Sequence, residues 1–264
     1  MSILTVPMQV LARELWPQLR RSFGSGRIGL LIAPHVLNTG VGEWWVDRWP
    51  LPRASMLFVG GNLALQGDCE AVDPGFIAAI VAQRLRSWDR ILIEVNGDWE
   101  RIALAVVAPL QRWPRVILRL RMQRSPLEEA TAVMFRRLGP GDADALLTLS
   151  ASIQWIGDTW GGLAELARSG RAWAAWSDGR PASVAAPGFV GDIVEDISVV
   201  TEPQFRGRGL STACAALVMN DIARGGKEPI WTTWPANAAS LRVAEKLGFA
   251  KSHEDHAWIA GQPL

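Results

Sequence analysis

Arg206-Gly207-Arg208-Gly209-Leu210-Ser211 lies between an apolar run, Ile193 to Thr201, and an amphipathic stretch from Leu210 to Ile222, and its reading decides the fold. Two glycines let the chain turn tightly and bring its backbone close to a bulky anion. A helix opening at Leu210 directs its free N–H groups and the positive end of its dipole into that turn. Strand, glycine turn and helix together form a phosphate cradle. A Rossmann turn is excluded by Thr212 in place of the third glycine. It is also excluded by the next apolar run, Pro229 to Trp234, which carries no acid for a ribose. The Gly-Lys-Ser/Thr ending of a Walker loop occurs nowhere in the chain.

Working outward, Leu210, Ala213, Cys214, Leu217, Val218 and Ile222 form one apolar stripe, and Gly225-Gly226 stops it. Asn237 then opens a second helix that closes on Lys246-Leu-Gly-Phe249. The spacing also predicts a strand ending at Arg137, a turn over 139–144 with an Asp cap, and a helix from Ala143 to about Ser152. A second helix closes before Gly170, and strands follow around the Asp178-Gly179 turn.

From Glu195 to Phe249 these features resemble the core of the GNAT N-acetyltransferase superfamily. Arg206-x-x-Gly209-x-Ser211 is similar to its pyrophosphate loop, with Ser in the last place. Asn237-Ala-Ala-Ser-Leu-Arg-Val-Ala-Glu-Lys-Leu-Gly-Phe249 is similar to its second motif. The details look most like a bacterial subgroup that includes enzymes protecting antibiotic producers by acetylating their own product. The resemblance implies an α/β (α+β) GNAT fold, with a mixed, mostly antiparallel sheet splayed at the cofactor site. It implies acetyl-CoA as acyl donor and an amine as acceptor, without metal. The coenzyme would lie along Val199, Val200 and Thr201 and on the backbone of Arg206, Gly207, Arg208, Gly209, Leu210, Ser211 and Thr212. Asn237 and Ser240 would face its pantetheine arm.

An ammonium must lose a proton before it attacks, so a base is needed. Glu195 stands where many members of the family carry that carboxylate, and Asp196 beside it is the alternative. The Tyr that commonly protonates the departing thiolate is replaced by Ala244, in a chain with 14 Trp and no Tyr. Ser240, a water, or a thiol that leaves unaided would then complete the step. A non-catalytic acyl-CoA sensor or partner-binding module is the competing reading. Trp155-Ile-Gly-Asp-Thr-Trp160 falls in the region bordering the acceptor; Trp155, Asp158 and Trp160 suit a small cationic amine, or are ordinary packing with a capping Asp.

The first half repeats the pattern more faintly: a strand over Met56 to Ala64, helix Gly75 to Leu85, strand Ile91 to Val95, helix Trp99 to Ala108, strand Val116 to Met122. Asp98 matches Asn237 as a helix cap, whereas Asp73-Pro-Gly75 replaces the arginine-glycine run. We expect two tandem domains, a degenerate GNAT-like or unrelated α/β domain over 1–125 and a catalytic one over 126–264, joined by a linker at Gln123 to Leu127. Glu43-Trp44-Trp45 is a candidate cleft segment. A formal net charge of +1 gives no global field for nucleic acid or a membrane surface. Charged residues interrupt the N-terminus, Cys69 and Cys214 do not suggest a disulfide framework, and His253 and His256 lack a third metal ligand. The expectation is a cytoplasmic protein, monomer or homodimer.

Overall fold

The computed structural model describes residues 7–23, 31–95, 97–122 and 133–262; the expected linker at 123–127 lies outside them. The chain divides into two units, Met1–Pro114 with His256–Leu264, and Arg115–Asp255.

In the first unit the order is β1 (Gln9–Val10), α1 (Arg20–Phe23), α2 (Ile32–Thr39), β2 (Glu43–Val46), β3 (Ala54–Val59), β4 (Asn62–Gly67), α3 (Pro74–Arg84), β5 (Arg90–Glu94), α4 (Asp98–Val106) and the start of β6 (Leu110–Leu120). The second unit runs β7 (Met134–Arg137), α5 (Ala143–Leu146), α6 (Leu163–Ser169), β8 (Trp173–Ser177), β9 (Arg180–Val190), β10 (Val194–Thr201), α7 (Leu210–Arg224), β11 (Glu228–Thr233), α8 (Ala238–Leu247) and the start of β12 (Phe249–Gly261). The pairing also repeats. Strands β1 to β4 and β7 to β10 are antiparallel neighbours in sequence, and β4–β5 and β10–β11 are parallel. One mixed α/β architecture is laid down twice.

The units do not follow the expected cut after residue 125. Val116–Arg119 of β6 pair with β11 in the second unit, and Trp258–Gly261 of β12 pair with β5 in the first. The strand beside β11 thus comes from the middle of the chain, and the strand beside β5 from near residue 260. Strand pairing obeys register and burial rather than chain order, so no local signal marks the exchange.

Local differences have local causes. The run Met56 to Ala64 is a hairpin rather than one strand, because Gly60 and Gly61 take φ of 53° and 74° and reverse the chain. The helix expected over 143–152 stops at Leu146, and a 3₁₀ stretch follows from Ala151 to Trp160. Asp98 is the first residue of α4, which starts after Gly97, so it does not cap it. Trp44 and Trp45, expected in a cleft, are buried in the first unit, and Glu43 pairs with Arg84.

The second unit's sheet is covered on both faces. Ile197, Cys214, Val218, Trp231, Ala244 and Phe249 pack beneath α7 and α8. Leu146, Ile156, Leu166, Val184 and Val200 pack on the opposite face. Among the described residues no helix is long and apolar enough to cross a membrane, and no cluster of His, Cys, Asp or Glu could hold a metal.

Candidate active site

The sheet divides between β10 and β11. Their parallel ladder ends at Asp196 and Ile230, while β10 stays paired with β9 as far as Thr201. Ile197 to Thr201 therefore have no strand partner on the β11 side among the described residues. Two devices hold the split open. The Asp196 side chain accepts the Thr232 N–H at 2.9 Å, replacing the next rung of the ladder. On the other edge the register with β9 shifts between Asp196 and Ile197, which face Phe189 and Pro187 and leave Gly188 as the extra residue. A Cβ on Gly188 would lie 2.3 Å from Ser198 Oγ, so a larger residue in the bulge would have to displace that hydroxyl. Pro187-Gly188 inside an apolar strand is the signal that sequence reasoning missed.

Past Thr201 the chain enters the glycine turn. Gly207 and Gly209 take φ of 77° and 75° with open space where a side chain would stand. Gly209 occupies the cap position of α7, and no side chain bonds the helix's first N–H groups. Arg206 and Arg208 are exposed, whereas Leu210 and Thr212 are buried and Ser211 is half-buried. The first amide groups of α7 thus have no capping side chain among the described residues. Val200 is buried and Thr201 Oγ1 lies 2.8 Å from Ser183 Oγ. Val199 and Thr201 lie on the stretch of β10 beyond its last β11 pair, and the Thr201 carbonyl accepts the Arg206 Nε–H at 3.4 Å.

On the α8 side, Asn237 Oδ1 accepts the Ser240 N–H at 3.1 Å and caps the helix as expected. Trp231, the first β11 residue beyond the last parallel pair, donates its Nε1–H to Ser240 Oγ at 2.8 Å. An indole N–H only donates, so Ser240 must accept there and its own O–H stays free to donate elsewhere. Ala244, one turn on along the same helix face, is buried in the same core as the Trp231 indole. The indole was not foreseen as a partner of Ser240.

On the opposite face the 3₁₀ stretch Ala151–Trp160 crosses the sheet. The N–H and Oγ–H of Ser150, at its start, bond the Glu202 carboxylate at 2.6 Å each. At its end Trp160 Nε1–H bonds the Pro187 carbonyl at 2.8 Å. Trp160 is buried by that contact and braces the bulge, whereas Trp155 is 49% exposed. Asp158 has neither ion pair nor side-chain hydrogen bond among the described residues. Burial pushes its carboxyl up to about 6.

Glu195 does not stand as a free base. It is 1% exposed, on the part of β10 that is still paired, and both carboxylate oxygens are committed. Arg171 Nη2 holds one at 2.5 Å and Lys227 Nζ the other at 2.8 Å. The carboxylate's charge offsets those two cations. We expect Glu195→Gln to lower the thermal stability of the chain by about 2 kcal/mol. That is less than for a fully buried pair, since Arg171 and Lys227 keep 33% and 27% exposure. Its turnover, assayed below the melting range, is expected to stay within about threefold of the parent, against the 10²-fold loss typical of a missing base. Asp196, the alternative, is committed to Thr232. Burial holds the Cys214 thiol at about 12, which excludes it as a nucleophile.

The first unit repeats this frame with the site filled. Its parallel pairing ends at Ala64 and Glu94. Gly67 thus stands three residues beyond the last pair, as Val199 does. The buried Trp99 at the start of α4 donates its Nε1–H to the Gly67 carbonyl at 2.8 Å. The N-terminus of α3 is capped by its own Asp73, whose carboxylate accepts the Gly75 N–H at 3.0 Å. His256 Nε2 lies 2.8 Å from Glu100 Oε1 in a polar contact.

Comparison with known proteins agrees with this geometry. The family model for GNAT acetyltransferase matches residues 31–258. An uncharacterized N-acetyltransferase in the mutA 5′ region of Streptomyces virginiae is 38% identical over 207 residues, 76% of this chain and 83% of that protein. Among solved structures, a GCN5-related N-acetyltransferase-like protein from Streptococcus suis superposes with a TM-score of 0.66 at 17% identity, over 93% of this chain and 98% of that one. A tandem GNAT protein from the clavulanic acid biosynthesis pathway gives 0.56 at 12% identity, over 96% and 97%.

Proposed function

This chain belongs to the GNAT acetyltransferase family, and we propose that its second unit transfers an acetyl group from acetyl-CoA to the amine of a small cationic molecule. The observation that carries the reading is the uncapped, glycine-opened N-terminus of α7 at the mouth of a divided sheet. Those residues fit the coenzyme. The amides from Arg206 to Thr212 would bind its diphosphate, with the exposed Arg206 and Arg208 adding charge. The backbone of Val199 and Thr201, on the stretch of β10 without a β11 partner among the described residues, would bind its arm, with Arg206 Nε–H giving up the Thr201 carbonyl, and Asn237 would border it. Acetyl-CoA supplies an activated acyl group and a thiol leaving group. Ser240, polarised by the Trp231 N–H, would hand its proton to the sulfur, taking the part of the missing Tyr. The first unit, plugged by Trp99 and capped by Asp73, would take no coenzyme.

For the acceptor, the exposed face of Trp155 and the unpaired Asp158 suit an ammonium group through cation–π contact and charge. Self-protection by acetylation of an antibiotic amine is the more specific form of the proposal, supported by the motif resemblance in the loop and second helix. The cytoplasm is its setting. Calorimetry is expected to find one acetyl-CoA site per chain, and polyamines or aminoglycosides to stimulate thiol release from it. Binding without any amine-stimulated release would favour an acyl-CoA sensor, and no binding would refute both.

A further inference from the structure

We propose that Asp158 is the general base that takes the proton from the acceptor ammonium, an assignment that rests on the acetyltransferase reading above. The placement follows from the two anchors of the 3₁₀ stretch. Ser150 at its start is tied to Glu202 just beyond β10, and Trp160 at its end is tied to Pro187. Pro187 pairs with Ile197, the first β10 residue past the last parallel pair. The chain at Asp158, two residues before Trp160, is therefore anchored to the β9 residue that pairs with the first β10 residue of the split. Ser240 stands at the same level on the α8 face, bonded to Trp231, the first β11 residue past that pair. A base on the 3₁₀ segment and a proton donor on α8 would serve the two ends of the transfer, nitrogen and sulfur, from opposite faces of the sheet.

The other acids near this point are committed. On β10, Glu195 holds Arg171 and Lys227, and Asp196 holds the Thr232 N–H. Glu202 holds Ser150, and on α6 Glu165 holds Arg168. Arg180 of β9 is exposed at the hairpin turn. None of these groups shifts Asp158; burial alone raises its carboxyl, to about 6. A carboxylate of that basicity is closer to the ammonium in proton affinity than an ordinary one, and it stays ionised at neutral pH.

The step balances as follows. One ammonium proton passes to Asp158 and then to solvent, and the freed nitrogen lone pair attacks the acetyl carbonyl carbon. The C–N bond forms and the C–S bond breaks. The sulfur takes a proton from Ser240, which is refilled through solvent by the second proton leaving nitrogen. The sum is ammonium plus thioester giving amide, thiol and one proton.

The test follows thiol release from acetyl-CoA by the full chain, with water and with spermidine as acceptors, over two pH units either side of 6. Because the base works only when ionised, kcat/KM is expected to be present above that value and lost as pH falls through it. Asp158→Asn is expected to remove this limb and lower the plateau about 10²-fold. Asp158→Glu is expected to restore the limb in part. Acetyl-CoA affinity by calorimetry should be unchanged in both variants, which also reports an intact fold. If the parent shows no such limb with either acceptor, or the Asn variant keeps it, the assignment of Asp158 is overturned while the coenzyme reading stands. If the parent binds no acetyl-CoA, the acetyltransferase reading itself fails.

Discussion

Replacing Gly209 with valine is expected to weaken acetyl-CoA binding by about 10²-fold or more, or roughly 2.7 kcal/mol. Gly209 caps α7 at a φ of 75°, where a residue with a Cβ is strained by about 1–2 kcal/mol and a β-branched one by more. No neighbouring atom lies within 4 Å of the position a Cβ would take, so the chain still folds. The penalty falls on the backbone angle that aims the first amides of α7 at the diphosphate. A hydrogen bond to a charged group contributes about 1.5–3 kcal/mol, so misdirecting one or two of them accounts for the loss. Gly209→Asn, which tolerates the left-handed region better, is expected to keep most of the affinity. Calorimetry with acetyl-CoA measures both variants, and parent-like binding by the valine variant would remove the amide cradle from the proposal.

Truncating Trp99 to alanine is expected to have the largest effect on stability and none on coenzyme binding. The indole is 2% exposed among Leu63, Leu65, Ile77 and Ile93, and its N–H satisfies the Gly67 carbonyl. Losing a buried Trp costs about 3–5 kcal/mol from cavity and transfer terms together. At this chain length that lowers the first thermal transition by roughly 10 °C. Trp99→Phe keeps most of the packing and forfeits the hydrogen bond, so a loss of about 1 kcal/mol is expected from it. Acetyl-CoA affinity measured on the Ala variant should match the parent, because the residues proposed to bind the coenzyme belong to the second unit. A weakened affinity would show that the first unit contributes to binding after all.

Each proposed site residue had a different legibility in the sequence. The glycine turn was readable because its causes are local: glycine at positive φ, arginine beside it and a helix immediately after. Asn237 was readable for the same reason, as a cap three residues from the N–H it accepts. The fate of Glu195 was not, since Arg171 and Lys227 come from segments 24 and 32 residues away. Neighbouring residues of a strand face opposite ways, but that says nothing of what each face holds. Trp231 was visible only as an apolar residue in a strand. Its bond to Ser240 depends on how α8 lies over β11.

By itself the sequence determined the glycine turn with the helix after it, the order of elements in the second half, the capping Asn237 and a faint repeat in the first. These rest on backbone angles, helical periodicity and caps, which act over a few residues. Only the tertiary structure decided that β6 and β12 trade places, that Glu195 is spent on two cations, and that Asp158 is left unpaired. It also decided that Trp99 fills the split which the second unit keeps open. Such outcomes come from strand register and burial between distant segments, where the same residues in another packing would carry opposite roles.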